Sequence, residues 1–353
     1  MILPGSFIFS LILLIVSLLA SGSWPGTFRA TRKNWRFEFY YNDFVIGFLL
    51  ASLLGAFTLG TFGSDGFGFI DDVQIASKHQ WAWAAVSGMV FSAGNMFFVA
   101  AIYVSGLAAA APLALGTAMM LNALLMPLTG NTSSIPVLRL IGAGVVLGGV
   151  IAGAIGARQW ALKRLAENIQ AGKTRSTRRS VNSKPIVLGI LGGILMGLSY
   201  PLSQMGTAGE IVLGPYSFSV LFGAGMVVST VILQVFFTNL PVLGKSAELG
   251  EYTRGAFGVH LPGVLGGAMA LAGLVTALMV LRATGAAQLD PRLAFGFSQA
   301  PVLLTTFWGL FYFKELSGSD SKVSTPVAVS AALTLVGLAL LAFAQQTPPA
   351  AVK

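Results

Sequence analysis

The sequence predicts an all-α, polytopic membrane protein of about ten transmembrane helices, arranged as two inverted five-helix repeats. Three observations lead to this fold class. Of the 353 residues, 55% are hydrophobic and only 9% are charged, whereas roughly a quarter of a soluble domain is charged. Apolar stretches long enough to cross a bilayer as helices recur along the whole chain. One long basic interruption divides these stretches into two groups of five.

The apolar stretches place the individual spans. We predict them at residues 5–28, 43–62, 80–104, 108–129, 136–158, 185–208, 213–237, 262–283, 291–313 and 325–345. The first span resembles a secretory signal, because the small residues Ala20, Ser21 and Gly22 follow an apolar run. Basic residues follow this span but none precedes it, so we interpret it as an uncleaved helix with its N-terminus outside.

The basic interruption predicts the domain organisation: a first five-helix repeat (1–158), a linker (159–184) and a second repeat (185–353). Because five is odd, equivalent halves must enter the membrane from opposite sides, which places a substrate site between them at the midplane. Most of the 21 Lys and Arg residues lie on the linker's side. The positive-inside rule therefore predicts a cytoplasmic linker and two extracytoplasmic termini. We expect a cell membrane, by default the bacterial inner membrane.

Composition argues against several function classes. Cys is absent and there are only two His residues, so a disulfide framework, a Cys-based metal site and a histidine cluster are excluded. The net charge of +9 comes from short loops between spans and not from an aromatic, basic nucleic-acid surface. Lys173 and Thr174 follow a glycine as in a phosphate-binding loop, but Glu167 occupies the position of its first glycine. We expect no enzyme, cofactor or metal; the expected partners are a small-molecule substrate and the lipid bilayer, and a homodimer stays open.

Polar side chains inside the spans are the candidates for substrate binding. Burying such groups in hydrocarbon costs free energy unless they meet a partner or line a wet cavity. For each one, an interhelical hydrogen bond is an equally good explanation. Trp24-Pro25 and Tyr200-Pro201 occupy corresponding places in the two halves, and proline can break a helix where a substrate binds. The candidates are Trp24, Asn95, Asn122, Tyr200, Gln204 and Gln299.

A proton-coupled carrier needs a protonatable side chain that both sides of the membrane can reach. Asp43 and Glu38 are our first choices, although carboxylates near span ends are more often simply solvated. The predicted spans offer neither a central Lys or Arg to pair with an anion nor a carboxylate cage for a cation, which favours a neutral substrate. A channel and a non-transporting scaffold remain as alternatives outside the carrier class.

Several motifs resemble those of the ureide permeases, which belong to the drug/metabolite transporter superfamily together with the glucose/ribose and rhamnose porters. The stretch Ala56-Phe57-Thr58-Leu59-Gly60 with Gly63 is similar to that family's AFTLGxxG motif, and residues 92–95 (SAGN) are similar to its SxGN motif. Residues 299–315 are similar to its QALPLxSTFWGxxxFxE run. Ser298 and Gln299 also resemble the SQ pair of the glucose-type porters.

The resemblance implies a ten-span secondary transporter and adds Ser298 to the substrate-binding candidates. The chain departs from the plant ureide permeases in its short central loop, and from the glucose-type porters in lacking a second GN pair in span 8. We therefore expect import of a small, neutral, polar solute, ureide-like or nucleobase-like, coupled to protons. Asn95 and Gln299 would donate and accept hydrogen bonds, and Trp24 and Tyr200 would stack or gate. A sugar porter is the alternative within transport.

Overall fold

The computed structural model describes residues 1–31, 35–63, 65–129, 134–170, 183–207, 212–243, 246 and 249–346. Of the described residues, 83% are helical. The described residues form no β-strand, only one isolated bridge between Ser134 and Gln345. Nearly half of the predicted linker, residues 171–182, lies outside the described part of the chain.

The described α-helices are α1 (Phe7–Ala30), α2 (Phe37–Phe57), α3 (Phe69–Ile75), α4 (Lys78–Ser105), α5 (Leu107–Leu125), α6 (Pro136–Gln170), α7 (Lys184–Gly206), α8 (Pro215–Asn239), α9 (Leu249–Thr253), α10 (Phe257–Leu281), α11 (Pro291–Gln299), α12 (Pro301–Phe307) and α13 (Ser321–Phe343). Short 3-10 helices cover Met126–Thr129 and Gly285–Ala287, and a π-helix covers Trp308–Tyr312.

Within the described residues, ten helical units are long and apolar enough to span a membrane. These units are α1, α2, α4, α5, α6, α7, α8, α10, α13 and the combined segment from Pro291 to Tyr312. Large apolar side chains on them face outwards; Ile8 and Leu54, for example, are each 68% exposed. In water this surface would be costly, whereas lipid solvates it. The predicted fold class, an all-α polytopic membrane protein of ten spans, is confirmed.

Helices α2 and α6 extend furthest beyond their predicted bounds. The second span begins at Phe37 and not at residue 43, so Glu38 and Asp43 both lie within its first two turns. Helix α6 continues through residues 159–170, where a linker was predicted. Its extension has an apolar face: Ala161 and Leu165 are 2% and 7% exposed and join the main core. Four of the basic residues that suggested a linker, Lys173, Arg175, Arg178 and Arg179, lie outside the described residues.

Helices from the two halves of the chain pack mainly against one another. Helix α4 lies against α7 and α8, while α10 lies against α1 and α2. Helix α5 packs on α7, and α12 packs on α1; α6 and α13 pair with each other. The core is therefore shared between the first five spans and the last five, and neither set encloses a core of its own.

Glycine allows the closest of these approaches. At the crossing of α4 and α7, a Cβ added to Gly94 would lie 2.7 Å from the carbonyl oxygen of Gly192, and one added to Gly192 would lie 2.9 Å from that of Gly94. Gly267 of α10 approaches the backbone of α2 at Phe44 in the same way. Gly144 of α6, in contrast, has no neighbouring atom within 4 Å. Many of the glycines thus serve helix packing.

The helix break lies elsewhere than the prolines of spans 1 and 6 suggested. Pro25 and Pro201 sit inside continuous helices, α1 and α7. The ninth span is interrupted instead: α11 ends at Gln299, α12 begins at Pro301, and the π-helix follows. Proline has no N–H to continue the hydrogen bonds of α11, and a π-turn is frequent at functional sites.

Candidate functional site

Ionisable side chains from both halves meet at one end of the bundle, where α1, α4 and α8 end and α2, α5 and α10 begin. We call it the charged end. Asp43 of α2 is 2% exposed. Its Oδ1 accepts a hydrogen bond from the Tyr252 hydroxyl at 2.6 Å and lies 2.8 Å from Nδ1 of His260; its Oδ2 accepts one from Nε1 of Trp35 at 3.2 Å. A carboxylate with three such donors is held in one orientation.

The phenol of Tyr252 lies in α9, outside the spans. Burial, and then the Asp43 carboxylate, raise the pKa of this phenol above its usual value of 10.0. The hydroxyl therefore stays protonated at physiological pH and remains a donor to Asp43. Trp35 and Tyr252 also enclose His260, with ring centroids 4.7 and 4.9 Å from the imidazole.

A second cluster at the charged end joins three parts of the chain. Glu315, which follows the ninth span, forms an ion pair with Arg29 at the end of α1, with 2.7 Å between Oε1 and Nε. The other carboxylate oxygen accepts a hydrogen bond from the backbone N–H of Ala108 at 2.8 Å. This contact caps the N-terminus of α5 with a negative charge, which the helix dipole favours.

Glu38 is held in a different way from Asp43. Its carboxylate, 1% exposed, receives two hydrogen bonds from the guanidinium of Arg36, at 2.8 and 3.2 Å. These bonds raise the pKa of Arg36, so the partner of Glu38 keeps its charge at any physiological pH. Both residues belong to the first half of the chain.

Asn95 is the most deeply buried of the predicted substrate-binding residues. It is 0% exposed, and neither atom of its amide makes a hydrogen bond of good geometry, although the Tyr41 hydroxyl lies close by. One turn earlier on α4, Ser92 contacts Thr230 of α8 at 3.0 Å, and its backbone carbonyl accepts a hydrogen bond from Tyr41 at 2.8 Å. An orphaned amide beside a satisfied polar cluster carries an uncompensated desolvation cost of about 1–3 kcal/mol. An unsatisfied buried polar group calls for an explanation, and a functional role is one.

The other predicted substrate-binding residues are placed less uniformly. Trp24 is 7% exposed and packs on Phe44 and Phe98, with ring centroids 4.7 and 6.1 Å away, so it is part of the aromatic core at the charged end. Half-buried positions near the opposite end of the bundle are occupied by Asn122, Tyr200, Gln204 and Gln299. Ser298 is exposed, and its hydroxyl donates to the Phe295 carbonyl of its own helix.

The predicted residues are therefore spread along the length of the bundle. No hydrogen bond between two of the seven side chains exists in the described part of the chain. Sequence reasoning also missed four residues: Trp35, Tyr252 and His260 around Asp43, and Gln234 of α8. Gln234 is 6% exposed with both amide atoms unpartnered. An amide in an apolar span was a usable signal for Gln234, whereas no local pattern connects His260 to Asp43.

A lateral groove of about 310 Å³ lies between α1 and the end of the ninth span. It is lined by Ser23, Gly26, Thr27, Ala30, Trp308, Tyr312 and Phe313. The indole of Trp308 donates to the Ser23 hydroxyl at 2.9 Å, and Thr27 shares a hydrogen bond of 2.8 Å with Tyr40. Its wall is mostly apolar, and none of the seven predicted substrate-binding residues lines it.

The opposite end has its own contact between the halves. Asp72 of α3, 2% exposed, accepts a hydrogen bond from the backbone N–H of Gly214 at 2.8 Å. Arg282, just after α10, donates to the Leu213 carbonyl. Burial lowers the pKa of Arg282, and the charge of Asp72 opposes that shift.

Comparison with known proteins adds no family assignment. No protein-family profile matches the sequence, and no curated protein matches it either. The likeness to the ureide permeases therefore rests on the motifs alone.

Proposed function

We propose that this chain is a secondary transporter that imports a small, neutral, polar organic solute of the ureide or nucleobase kind, coupled to protons. The observation that carries the proposal lies at the charged end, where ion-paired and hydrogen-bonded groups from the two halves meet. We call this set of contacts the seal. A transporter with alternating access must close one end of its solute path with contacts that can later separate.

Helix packing supports two equivalent halves. Shifting every span by five positions converts the contact of α1 with α10 into that of α7 with α4, and the contact of α2 with α10 into that of α8 with α4. The pair formed by α6 and α13 maps onto itself. Since the shift is by an odd number of spans, the two halves would run in opposite directions through the membrane, as inverted repeats do.

Burial supports a conformation that is closed at the charged end. Every residue from Phe98 to Ala114 is buried except Tyr103, so the end of α4 and the start of α5 are enclosed on all sides. Helix α11, at the opposite end, has no buried residue. By the positive-inside rule the charged end faces the cytoplasm and both termini face outwards. The conformation would then be outward-facing, in a cell membrane such as the bacterial inner membrane.

The buried amides support a neutral, polar substrate. Asn95 offers both a donor and an acceptor, the pattern that an amide or ureide group complements. The carboxylates of Glu38, Asp43 and Glu315 each already have a basic or hydrogen-bonding partner. Between Asp43 and Glu38, the structure favours Asp43 for proton coupling, because imidazole titrates near neutral pH and guanidinium does not.

Reconstitution in liposomes tests the function. We expect saturable uptake of labelled allantoin or uracil that an inward proton gradient stimulates, and no saturable uptake of glucose. Glucose uptake would favour the sugar porter, linear unsaturable flux would favour a channel, and no flux of any solute would leave a scaffold. Protein-free liposomes and liposomes held at equal pH on both sides are the controls.

Asn95→Leu separates a binding role from a structural role. Because neither amide atom makes a hydrogen bond of good geometry, an apolar side chain of similar size removes a desolvation cost, and we expect thermal stability to rise by about 1 kcal/mol while uptake is lost. Ser92→Ala is the matched control on the same helix face: it breaks existing hydrogen bonds and lowers stability. A less stable Asn95→Leu variant would refute the binding role of Asn95.

A further inference from the structure

Two of the residues around Asp43 suggest a more specific device than a lone carboxylate. Asp43 belongs to the first half of the chain, and His260, together with Tyr252, belongs to the second. Asp43 and His260 are 217 positions apart in the sequence, yet Oδ1 of Asp43 lies 2.8 Å from Nδ1 of His260. Any proton on this pair therefore sits on a contact between the halves.

The orientation of the imidazole defines which atom can receive that proton. Nδ1 points at the Asp43 carboxylate, and in either charge state of the ring it can carry a hydrogen and donate. Nε2 points towards Gly255, where an added Cβ would lie 2.8 Å from it. The side chain of His260 is 20% exposed, so water at the charged end can reach the ring.

The remaining surroundings are neutral or already paired. Asp43 faces Trp35 and Tyr252, which donate hydrogen bonds to it, and Tyr40 on its own helix, whose hydroxyl is bound to Thr27. At the same end, Glu38 and Glu251 interact by charge with Arg36. Asp43 is thus the only charged group in direct contact with His260 among the described residues.

We propose that His260 and Asp43 form a proton-binding site at the interface between the halves, in which Nε2 of His260 accepts a proton from the aqueous phase and Asp43 is the counter-ion. Tyr252 and Trp35 are positioning residues that hold the carboxylate. Binding one proton converts a pair with a net charge of −1 into a neutral ion pair. An N–H bond forms at Nε2 as an O–H bond of hydronium breaks, and release reverses this transfer to water. The assignment of this site to proton coupling rests on the proposed transport function.

The chain has only two His residues, which makes the site directly measurable. The full-length protein, labelled with ¹⁵N-histidine in lipid nanodiscs, should give two imidazole spectra, and His79→Gln assigns them. His79 lies at the opposite end, where its Nε2 accepts a hydrogen bond from Trp83. We expect the His260 spectrum to show the ring changing charge as the pH is lowered, since histidine is the side chain suited to such a switch.

Removing the counter-ion should shift the titration. In Asp43→Asn the midpoint of His260 should fall by about one pH unit or more, because an opposite charge within a few ångströms stabilises the imidazolium. In Tyr252→Phe the midpoint should rise, because the carboxylate loses the Tyr252 hydrogen bond and then stabilises the imidazolium more strongly. Glu315→Gln, which alters the other cluster at the same end, should leave the midpoint unchanged. Tyr252→Phe also provides the test if Asp43→Asn fails to fold.

Transport then gives the second readout. His260→Gln should abolish stimulation of uptake by a proton gradient while solute exchange at equal pH continues. A His260 that stays uncharged throughout the titration, or whose midpoint ignores both Asp43→Asn and Tyr252→Phe, overturns the proton site. A normal titration in a protein that transports none of the tested solutes retains the proton site and refutes the proposed function.

Discussion

The ion pair between Arg29 and Glu315 makes a quantitative prediction about the free energy of unfolding. Glu315 has a side chain that is 1% exposed, with one oxygen on Arg29 and the other on the backbone N–H of Ala108. Three single or double replacements by alanine separate these contributions: Arg29→Ala, Glu315→Ala and both together. Since Arg29 is 31% exposed, water compensates part of what it loses.

The expected magnitudes follow from the contacts. Glu315→Ala removes a charged hydrogen bond to the N-terminus of α5, worth about 1.5–3 kcal/mol, and the ion-pair attraction to the partly exposed Arg29, worth about 1 kcal/mol, so we expect a loss of about 3 kcal/mol. Arg29→Ala leaves a buried carboxylate with only one backbone donor, which costs about 3 kcal/mol or slightly more. The double variant should lose much less than the sum, with a coupling energy of at least about 1.5 kcal/mol.

Denaturant unfolding in detergent micelles, followed by tryptophan fluorescence, measures these differences. Glu315→Gln is the conservative control: it keeps an acceptor for Ala108 and loses the charge, so its loss should lie between wild type and Glu315→Ala. A coupling energy below about 0.5 kcal/mol, the level at which independent sites add, would refute a stabilising ion pair.

Two further predictions concern packing and pH. Gly94→Val should destabilise the protein or prevent folding, because its Cβ would lie 2.7 Å from the Gly192 carbonyl oxygen, whereas Gly144→Ala, with no atom within 4 Å, should be neutral or slightly stabilising in the same thermal unfolding assay. Because the pKa of Tyr252 is raised above 10.0 in the folded protein, its contribution is complete below pH 10 and declines above it, where the unfolded phenol loses its proton first. Stability above about pH 10 should therefore fall less steeply in Tyr252→Phe, by up to about 1.4 kcal/mol per pH unit, and equal slopes would contradict this.

The number and approximate positions of the spans could be predicted because hydropathy over a helix-length window is a local property. The extension of α6 could not, since eight basic residues in and after it suggest a solvated linker unless one sees that Ala161 and Leu165 share a face. Nor could the break at Ala300, because Pro25 and Pro201 carry the same local signal yet stay within continuous helices. Which proline interrupts a helix depends on the neighbours that satisfy the freed carbonyl.

The site was predicted only in part for a related reason. Asp43 and Asn95 could be selected as single residues, because a carboxylate or an amide in an apolar span is costly by itself. Their environments depend on which helices touch. The partner of Asp43 is His260, far along the chain, and the expected gating residue Trp24 is packed into an aromatic core. Two His residues are too few for a histidine cluster, but a single His beside a carboxylate is sufficient for the proposed proton site.

The chemistry of the seal bears on how readily it can open under the proposed mechanism. Separating an apolar contact costs the whole free energy gained by burying it, about 25 cal/mol for each Å² exposed. A buried ion pair is different, because the water that solvates the separated charges repays much of the lost attraction. By this reasoning the pairs formed by Arg29 with Glu315 and by Asp43 with His260 would cost less to separate than an apolar contact of equal area. Protonation of His260 changes the charge of only one of them, so a proton could bias the equilibrium between conformations without being needed to hold the fold together.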